Sequence, residues 1–286
     1  MNYKCFEVSK TDAVAHIKMC RPQKANSMNE DFWRELPQIL DELDQAGDVR
    51  VCVLSAQGKN FSAGMDLSFF AKEEFATLNN ARQREVLIDV VAKLQGVFNR
   101  LESVRFPIIA AVQGACIGGA LDMIAACDLR YANIDARFSI EEINIGMIAD
   151  LGSLQRLPLL MPEGMVREMA YTGQKIDAKR ALEHGLLNQV FETRDLMLEA
   201  VFAIARQIAA KSPLAIAASK KAFNHARNHG LRDALEYMGV LQGTMLEPAD
   251  IGVAMRAGKS AKAGKSEGGF KNLSPLLMVH DKDRQG

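Results

Sequence analysis

The chain has 286 residues, 48% of them hydrophobic, and its formal net charge is zero with 24% charged residues. That length allows one large domain or two smaller ones with an ample core. A neutral balance supplies no basic field for nucleic acid or an anionic membrane, so neither is an expected partner.

Five cysteines, Cys5, Cys20, Cys52, Cys116 and Cys127, lack CxxC spacing and sit mostly in apolar runs. They are expected as buried free thiols in a reducing compartment. The opening Met-Asn-Tyr-Lys fits neither a secretory signal nor a transit peptide, which makes a cytoplasmic location the default expectation. The apolar run 108–127 contains Gln113, three glycines and Asp122, so it reads as a strand and a buried helix instead of a membrane span.

In chain order, residues 5–8 and 13–20 read as two strands turning at Lys10-Thr11-Asp12, and Arg21-Pro22 ends the second. Asn29 caps a helix in which Phe32, Leu36, Ile39, Leu40 and Leu43 recur at helical spacing up to Gly47. A continuous apolar strand follows at 49–55, then a polar Gly-rich loop, a long helix from about 81 to 101, a buried strand at 107–113 and a helix at 118–126. Residues 130–140 hold two short strands, and 157–161 and 163–171 read as helical. Asp177 caps a short helix stopped by Gly185, which leads into a strand at 187–191.

Beyond Thr193 the pattern is helical only, over 196–211, 213–229, 231–245 and 249–256. Residues 257–269 are rich in Gly, Lys and Ser and are expected to be mobile. In the third of these helices Leu231, Leu235, Met238, Leu241 and Met245 form one apolar stripe, which suits internal core and subunit interface equally.

The chemistry is concentrated in three acids, Asp122, Glu142 and Asp150, preceded by two Gly-rich turns, Ser62-Ala63-Gly64-Met65-Asp66 and Gly114-Ala115-Cys116-Ile117-Gly118-Gly119. Each turn follows an apolar strand and is able to aim a backbone N–H at one oxygen. Such donors facing several carboxyls suit proton transfer beside a carbonyl. Gly118-Gly119 also opens a helix, which leaves its first N–H groups free, and small residues there admit an acyl group close to the backbone.

Taken alone, the residues leave other readings open. A Gly-Gly helix start permits tight packing, Asp122 suits a buried polar group bonded to a backbone donor, and Glu142 beside Glu141 suits a solvated pair. Gly114 to Ala120 does not fit GxGxxG, and Gly258 to Ser266 has five residues between its glycines and no preceding strand, so dinucleotide and P-loop sites are excluded. His16, His184, His225, His229 and His280 match no metal spacing, and no metal is expected.

Four segments, Arg21-Pro22-Gln23-Lys24-Ala25-Asn26-Ser27-Met28, Phe61-Ser62-Ala63-Gly64-Met65-Asp66-Leu67, 112–122, and Tyr171-Thr172-Gly173 through Gly185-Leu186, resemble the successive signatures of the crotonase (enoyl-CoA hydratase/isomerase) superfamily. The resemblance covers nearly the whole chain. It implies an α/β fold: a crotonase-type spiral of ββα repeats over 1–195 with the acyl-CoA site, then a C-terminal helical region over 196–286 that builds homotrimers or homohexamers. It implies an acyl-CoA thioester substrate and no separate cofactor, coenzyme A being part of the substrate. Its oxyanion hole falls, by motif position, on the N–H groups of Met65 and Gly119. Coenzyme and substrate binding fall on Lys24, Ala25, Ala63, Asp66, Leu67 and Gly118, with Phe270 and Lys271 where family tails reach a nucleotide. Phe69, Phe70 and Phe75 suit an apolar acyl tunnel and core equally.

Hydratases of the superfamily have two glutamates at the positions of Asp122 and Glu142, so the first acid here is one methylene shorter. They usually have a glycine beside the bound water, where this chain has Asp150. The three acids together are similar to the Δ3,5-Δ2,4-dienoyl-CoA isomerase branch. That likeness implies an isomerase of fatty acid β-oxidation in which the carboxyls of Glu142 and Asp150 exchange protons at C2 and C6 of a dienoyl thioester, and Asp122 assists. The alternatives are an enoyl-CoA hydratase adding water to a 2-enoyl-CoA and, more remotely, a non-catalytic crotonase-like binding module with an RNA or protein partner.

Overall fold

A computed structural model describes residues 3–69, 81–262 and 269–277. The chain starts with a hairpin of β1 (Phe6–Thr11) and β2 (Val14–Met19), whose two turn residues Asp12 and Ala13 both take positive φ, 49° and 64°. That is the backbone twist a two-residue hairpin requires. Helix α1 (Glu30–Ala46) begins where the Asn29 side chain accepts from Phe32 N–H at 3.1 Å, and it ends at Gly47 with φ 73°.

The chain continues through β3 (Val51–Ala56), α2 (Ala81–Ser103), β4 (Ile108–Val112), β5 (Ala115–Ile117), α3 (Gly119–Ala125), β6 (Leu129–Asn133) and β7 (Arg137–Ser139). Next come α4 (Ser153–Arg156), α5 (Glu163–Thr172), β8 (Ile176–Asp177), α6 (Ala178–Glu183) and β9 (Gln189–Phe191). Helices α7 (Arg194–Ala209), α8 (Pro213–Asn228), α9 (Leu231–Met245) and α10 (Pro248–Lys262) complete it.

Six strands form one sheet in the order β1-β2-β3-β4-β6-β9, parallel except for the first pair. A smaller sheet, β5-β7-β8, is extended by bridges from Ser62 to Cys116 and from Met28 to Met65. The segments after β2, β3 and β4 thus leave the large sheet, enter the small one, and turn back or lead into a helix. This repeated strand, strand, helix path winds the spiral.

Both faces of the large sheet are covered, which is why β3 and β4 are apolar without alternation. Cys52, Leu54 and Val112 face a core shared with Phe32, Leu36 and Leu40 of α1 and Phe98 and Leu101 of α2. Val51, Val53 and Ile109 face Met197, Val201, Ala205 and Ala209 of α7. No single described helix is long and apolar enough to cross a membrane.

Five expectations change. Strands β5 and β8 have three and two residues, too few for a period-2 signal. The short helix α4 was not anticipated, and only a 3-10 turn at Leu157–Leu159 stands where a helix over 157–161 was expected. The strand expected at 187–191 starts at Gln189. Helix α10 continues to Lys262, six residues into the stretch expected to be mobile. The apolar stripe of α9 divides: Leu241 is buried, whereas Leu231 and Leu235 are 78% and 62% exposed.

One buried cation ties α8 to the sheet. Lys220 Nζ donates to Leu101 O (2.8 Å), Phe106 O (3.0 Å) and Asp128 Oδ2 (2.8 Å), and the same Asp128 oxygen accepts from Ile108 N–H. A neutral side chain there leaves two carbonyls and a carboxylate without their donor. Lys220→Met is therefore expected to lower the unfolding free energy by about 3 kcal/mol, read by urea denaturation; an unchanged midpoint would refute this role.

Candidate active site

The site is built where the second and third turns of the spiral cross. Gly64 has φ 82°, and a Cβ on it would lie 2.4 Å from Ile117 O, so only glycine lets the two chains pass at this distance. Met28 donates to Gly64 O (2.8 Å) and accepts from Asp66 N–H (3.1 Å). Strand alternation then turns the intervening Met65 N–H to the opposite side. Gly118, with φ 53°, sets the start of α3, and Gly119 as its first residue has no intrahelical acceptor. Among the described residues neither the Met65 nor the Gly119 N–H finds a backbone acceptor. The two lie side by side: a Cβ on Gly119 would be 3.8 Å from Met65 N.

The acids converge on this crossing. Asp122, in the first turn of α3, is fully buried; its Oδ1 accepts from Ser153 N–H at 2.5 Å while its Oδ2 has no partner among the described residues. It thus closes the N-terminus of α4, the buried-polar role left open by its sequence, and still presents a free oxygen. Burial pushes its pKa up to about 6, against the opposing effect of the Ser153 bond.

Glu142 opens a 3-10 turn, Glu142–Ile145, closed by Gly146 in the left-handed region. Glu141 is the partnered member of the pair, accepting from Ser139 Oγ (2.7 Å) and Asn144 Nδ2 (3.1 Å). Glu142 instead turns inward: Oε2 is buried without a partner, and Oε1 lies 2.9 Å from where a Cβ on Gly118 would stand. Burial, and then the Asp122 carboxylate, push Glu142 up to about 7. Asp150 is also raised, by burial. The mutual electrostatic effects of Asp122, Glu142 and Asp150 place all three acids in one electrostatic unit.

Two residues that the sequence did not single out hold the Asp150 loop. Gln95 of α2 donates to Asp150 O at 2.6 Å. Arg156 donates to Leu151 O (3.1 Å) and pairs with Glu102 of α2 at 3.0 Å, passing over Gly152, where a Cβ would be 1.9 Å from its Nη1. Both act through backbone carbonyls, which leave no mark in a sequence pattern.

The segments bearing Lys24, Ala25, Ala63, Asp66 and Leu67 are adjacent. Ala63 N–H donates to Ala25 O at 2.9 Å, and Ala25 and Asn26 both take left-handed backbone, φ 46° and 51°. Asn26, unassigned from sequence, sustains that turn: it is 2% exposed, accepts from Arg21 N–H (2.9 Å) and donates to Gln57 O (2.9 Å) and Asn60 O (3.0 Å). The Asp66 carboxylate is occupied by Ser68 and Ser27, with Arg21 at 3.8 Å, and these hydrogen bonds, Ser68 first, hold its pKa below the usual range. Asp66 therefore shapes the loop. Lys24, Ala63 and Leu67 are exposed on its surface.

Phe270 does not join this group within one chain. Its carbonyl accepts from Arg50, at the opposite end of β3. Phe70 and Phe75 lie outside the described residues. The histidines need one correction: His225, His229 and Asp233 do bring donor atoms within 4.8 Å of one another. The two imidazoles, however, stack at 3.8 Å with planes 6° apart, and His225 bonds Asp233 at 2.8 Å. Parallel rings direct their in-plane lone pairs along separate planes, so this arrangement is a stacked, hydrogen-bonded group whose ring nitrogens point away from a common centre.

Two stacked sheets wound from strand, strand, helix units, with their free N–H groups and carboxyls at one crossing, define a crotonase-type α/β spiral. The chain belongs to the enoyl-CoA hydratase/isomerase family, whose model matches residues 9–259. It is 38% identical over 269 residues to a rat protein named Delta(3,5)-Delta(2,4)-dienoyl-CoA isomerase, mitochondrial, with 93% of this chain and 82% of that one covered. The peroxisomal protein of that name from Arabidopsis thaliana is 36% identical, with 90% and 94% covered. Among solved structures, enoyl-CoA hydratase from Bacillus anthracis superposes with a TM-score of 0.82 at 27% identity, covering 95% of this chain and 99% of that one.

These relatives correct the cytoplasmic expectation, because their names place them in mitochondria and peroxisomes. Free buried cysteines report on packing and redox state, and they do not separate one reducing compartment from another.

The raised acids make stability fall with pH. Below about pH 4 they hold protons in both folded and unfolded states. Above that, the unfolded carboxyls ionise first, and the stabilisation is lost as pH rises through 6 to 7, where Asp122 and Glu142 titrate in the folded protein. Glu142→Gln removes one of these ionisations and is expected to be more stable than the parent at pH 8 by on the order of 2 kcal/mol. Thermal unfolding at pH 5 and pH 8 checks this; an equal gain at both pH values would contradict it.

Proposed function

We propose that the protein is a Δ3,5-Δ2,4-dienoyl-CoA isomerase. The observation that carries the reading is the cluster of three carboxyls, with Asp122 and Glu142 raised to about 6 and 7, beside two unpaired N–H groups. The names and identities of the rat and Arabidopsis proteins support it.

In this reading the thioester oxygen accepts from Met65 and Gly119 N–H, which acidifies C2. One of Glu142 and Asp150, as carboxylate, removes a C2 proton; the resulting enolate is delocalised to C6, and the other, as carboxylic acid, delivers a proton there. The C3 and C5 double bonds become C2 and C4 double bonds, with no net change in protons. Mutual repulsion and burial keep one acid protonated while another is ionised near neutral pH, which is what simultaneous donor and acceptor roles need. Asp122, anchored through Ser153, assists by setting the charge of the pocket. The N–H pair holds the developing oxyanion, and each such donor contributes about 3 kcal/mol. Lys24, Ala25, Ala63 and Gly118 border the coenzyme, with Asp66 shaping the loop and Leu67 beside it. The place of this activity is the β-oxidation of unsaturated fatty acids.

Hydration of a 2-enoyl-CoA is the second reading, favoured by the superposition on a hydratase. Asp150 occupies the position where that chemistry needs room for water. With 3,5-octadienoyl-CoA the protein is expected to form the conjugated 2,4-dienoyl product, followed by its ultraviolet absorbance, with little hydration of 2-enoyl-CoA in parallel. Glu142→Gln and Asp150→Asn should each lower kcat by about a hundredfold to ten-thousandfold with KM little changed. Fast hydration without diene conjugation would hand the assignment to the hydratase.

The assembly is read as a homotrimer or homohexamer. Phe223, Leu231, Leu235 and Val240 are 62% exposed or more on α8 and α9, a cost that a neighbouring copy removes. Leu231→Glu with Leu235→Glu is expected to give monomers in sedimentation velocity, and an unaltered mass would place the interface elsewhere.

A further inference from the structure

Outside the acid cluster, a cavity of about 670 Å³ opens where the C-terminal ends of β3, β4 and β6 meet the outer side of the small sheet. Four cationic residues line it: Lys59, Arg137, Lys175 and Arg194. None of them has an ion-pair partner among the described residues; other cations without one, such as Arg130, bond carbonyl oxygens, and what sets these four apart is that they line one cavity together. The one acid on the wall, Asp135, accepts from Asn133 Nδ2 at 3.1 Å. In a chain of zero net charge this is a local excess of like charge, unfavourable unless an anion offsets it.

The polar groups beneath these cations are incomplete as well. Gln113 and Asn133 are 3% and 4% exposed, and both line the cavity. Gln113 Nε2 donates to Ala56 O (2.8 Å), which fixes its amide orientation and leaves Oε1 without a donor; Asn133 Oδ1 is likewise unpaired. Arg194 uses Nη2 on Ala56 O (2.8 Å), and its Nε–H has no acceptor. Each such buried group costs about 1–3 kcal/mol, and three of them border one cavity. Together they ask for a ligand that is anionic and also carries a hydroxyl or amine donor.

We infer that this cavity is a binding site for a phosphate monoester. Its wall includes Ala115 and Ile117, the two ends of β5, and Ile117 is the residue that Gly64 passes, so the cavity abuts the oxyanion crossing along that strand. The phosphate has two sources: the 3′-phosphate of a coenzyme A bound in the acyl-thioester groove, an option that rests on the acyl-CoA reading, or a separate phosphorylated metabolite, which does not.

The test uses the full chain in phosphate-free, low-salt buffer and the pair Lys59→Gln/Lys175→Gln, two exposed lysines with no described hydrogen bond. A control pair, Lys10→Gln/Lys179→Gln, removes the same charge elsewhere. Pyrophosphate titrated calorimetrically is expected to bind the parent and the control, and to bind the cavity pair about tenfold or more weakly, as loss of two charge-assisted contacts implies. If coenzyme A competes with pyrophosphate and outbinds 3′-dephospho-coenzyme A only when the lysines are present, the 3′-phosphate is the occupant. If both bind at once, a separate phosphate ester is. Equal pyrophosphate and coenzyme A affinities for parent, control and cavity pair would overturn the site. The pyrophosphate measurement needs no acyl-CoA turnover, so it can fail while diene conjugation succeeds.

Discussion

Everything at the candidate site depends on one close passage of backbone over backbone. At Gly64 the chain leaving β3 comes so near Ile117 that no side chain fits between, and the bridge to Met28 then fixes which way Met65 faces. Two N–H groups from separate turns of the spiral are aligned by this contact and by Gly118, with the Ser62 hydroxyl, which accepts from Gly64 N–H and donates to Asn26 O, as a brace. Their geometry is inherited from the sheets, the larger of which is covered on both faces and resists local adjustment. A site on rigid strands and helix starts needs no reorganisation as charge develops on a substrate oxygen.

Around that rigid pair the fold accepts a standing electrostatic cost. Asp122 and Glu142 each carry an oxygen that is buried and unpaired, and the acids raise one another. Such groups lower stability wherever they ionise in the native state, and nothing in the surrounding packing requires three of them. The supports are placed to bear this strain from behind. Ser153 holds Asp122, Gln95 and Arg156 hold the backbone that carries Asp150, and Gly146 closes the turn that carries Glu142.

Much of this was legible in the sequence, for identifiable reasons. Long apolar runs and caps such as Asn29 and Asp177 announce elements of useful length, and the two Gly-rich turns together with the three acids announce the site through residue type and order. Strands of two or three residues leave no periodicity, which hid β5 and β8. Residues that act through main-chain carbonyls, such as Gln95 and Lys220, look like any polar residue on a helix. The cationic cavity was hidden for a third reason: Lys59, Arg137, Lys175 and Arg194 are isolated in sequence, and only the spiral gathers them. Compartment was misjudged because thiol burial carries no address.

The tail has a bearing on how the chain comes to be folded. Arg50, at the entry to β3, donates to the carbonyl of Phe270 and to Asn272 Oδ1; Arg105 reaches Ser274 O, and Leu276 N–H returns to Gln45 O. These contacts join residues 169 to 231 positions apart, so the corner between α1 and β3 is completed by residues far along the chain. Contacts of such sequence separation close late and slowly. The α1–β3 corner therefore stays open on a growing chain until residues 270–276 have been made, so this early corner closes only after the helical region that precedes them has emerged.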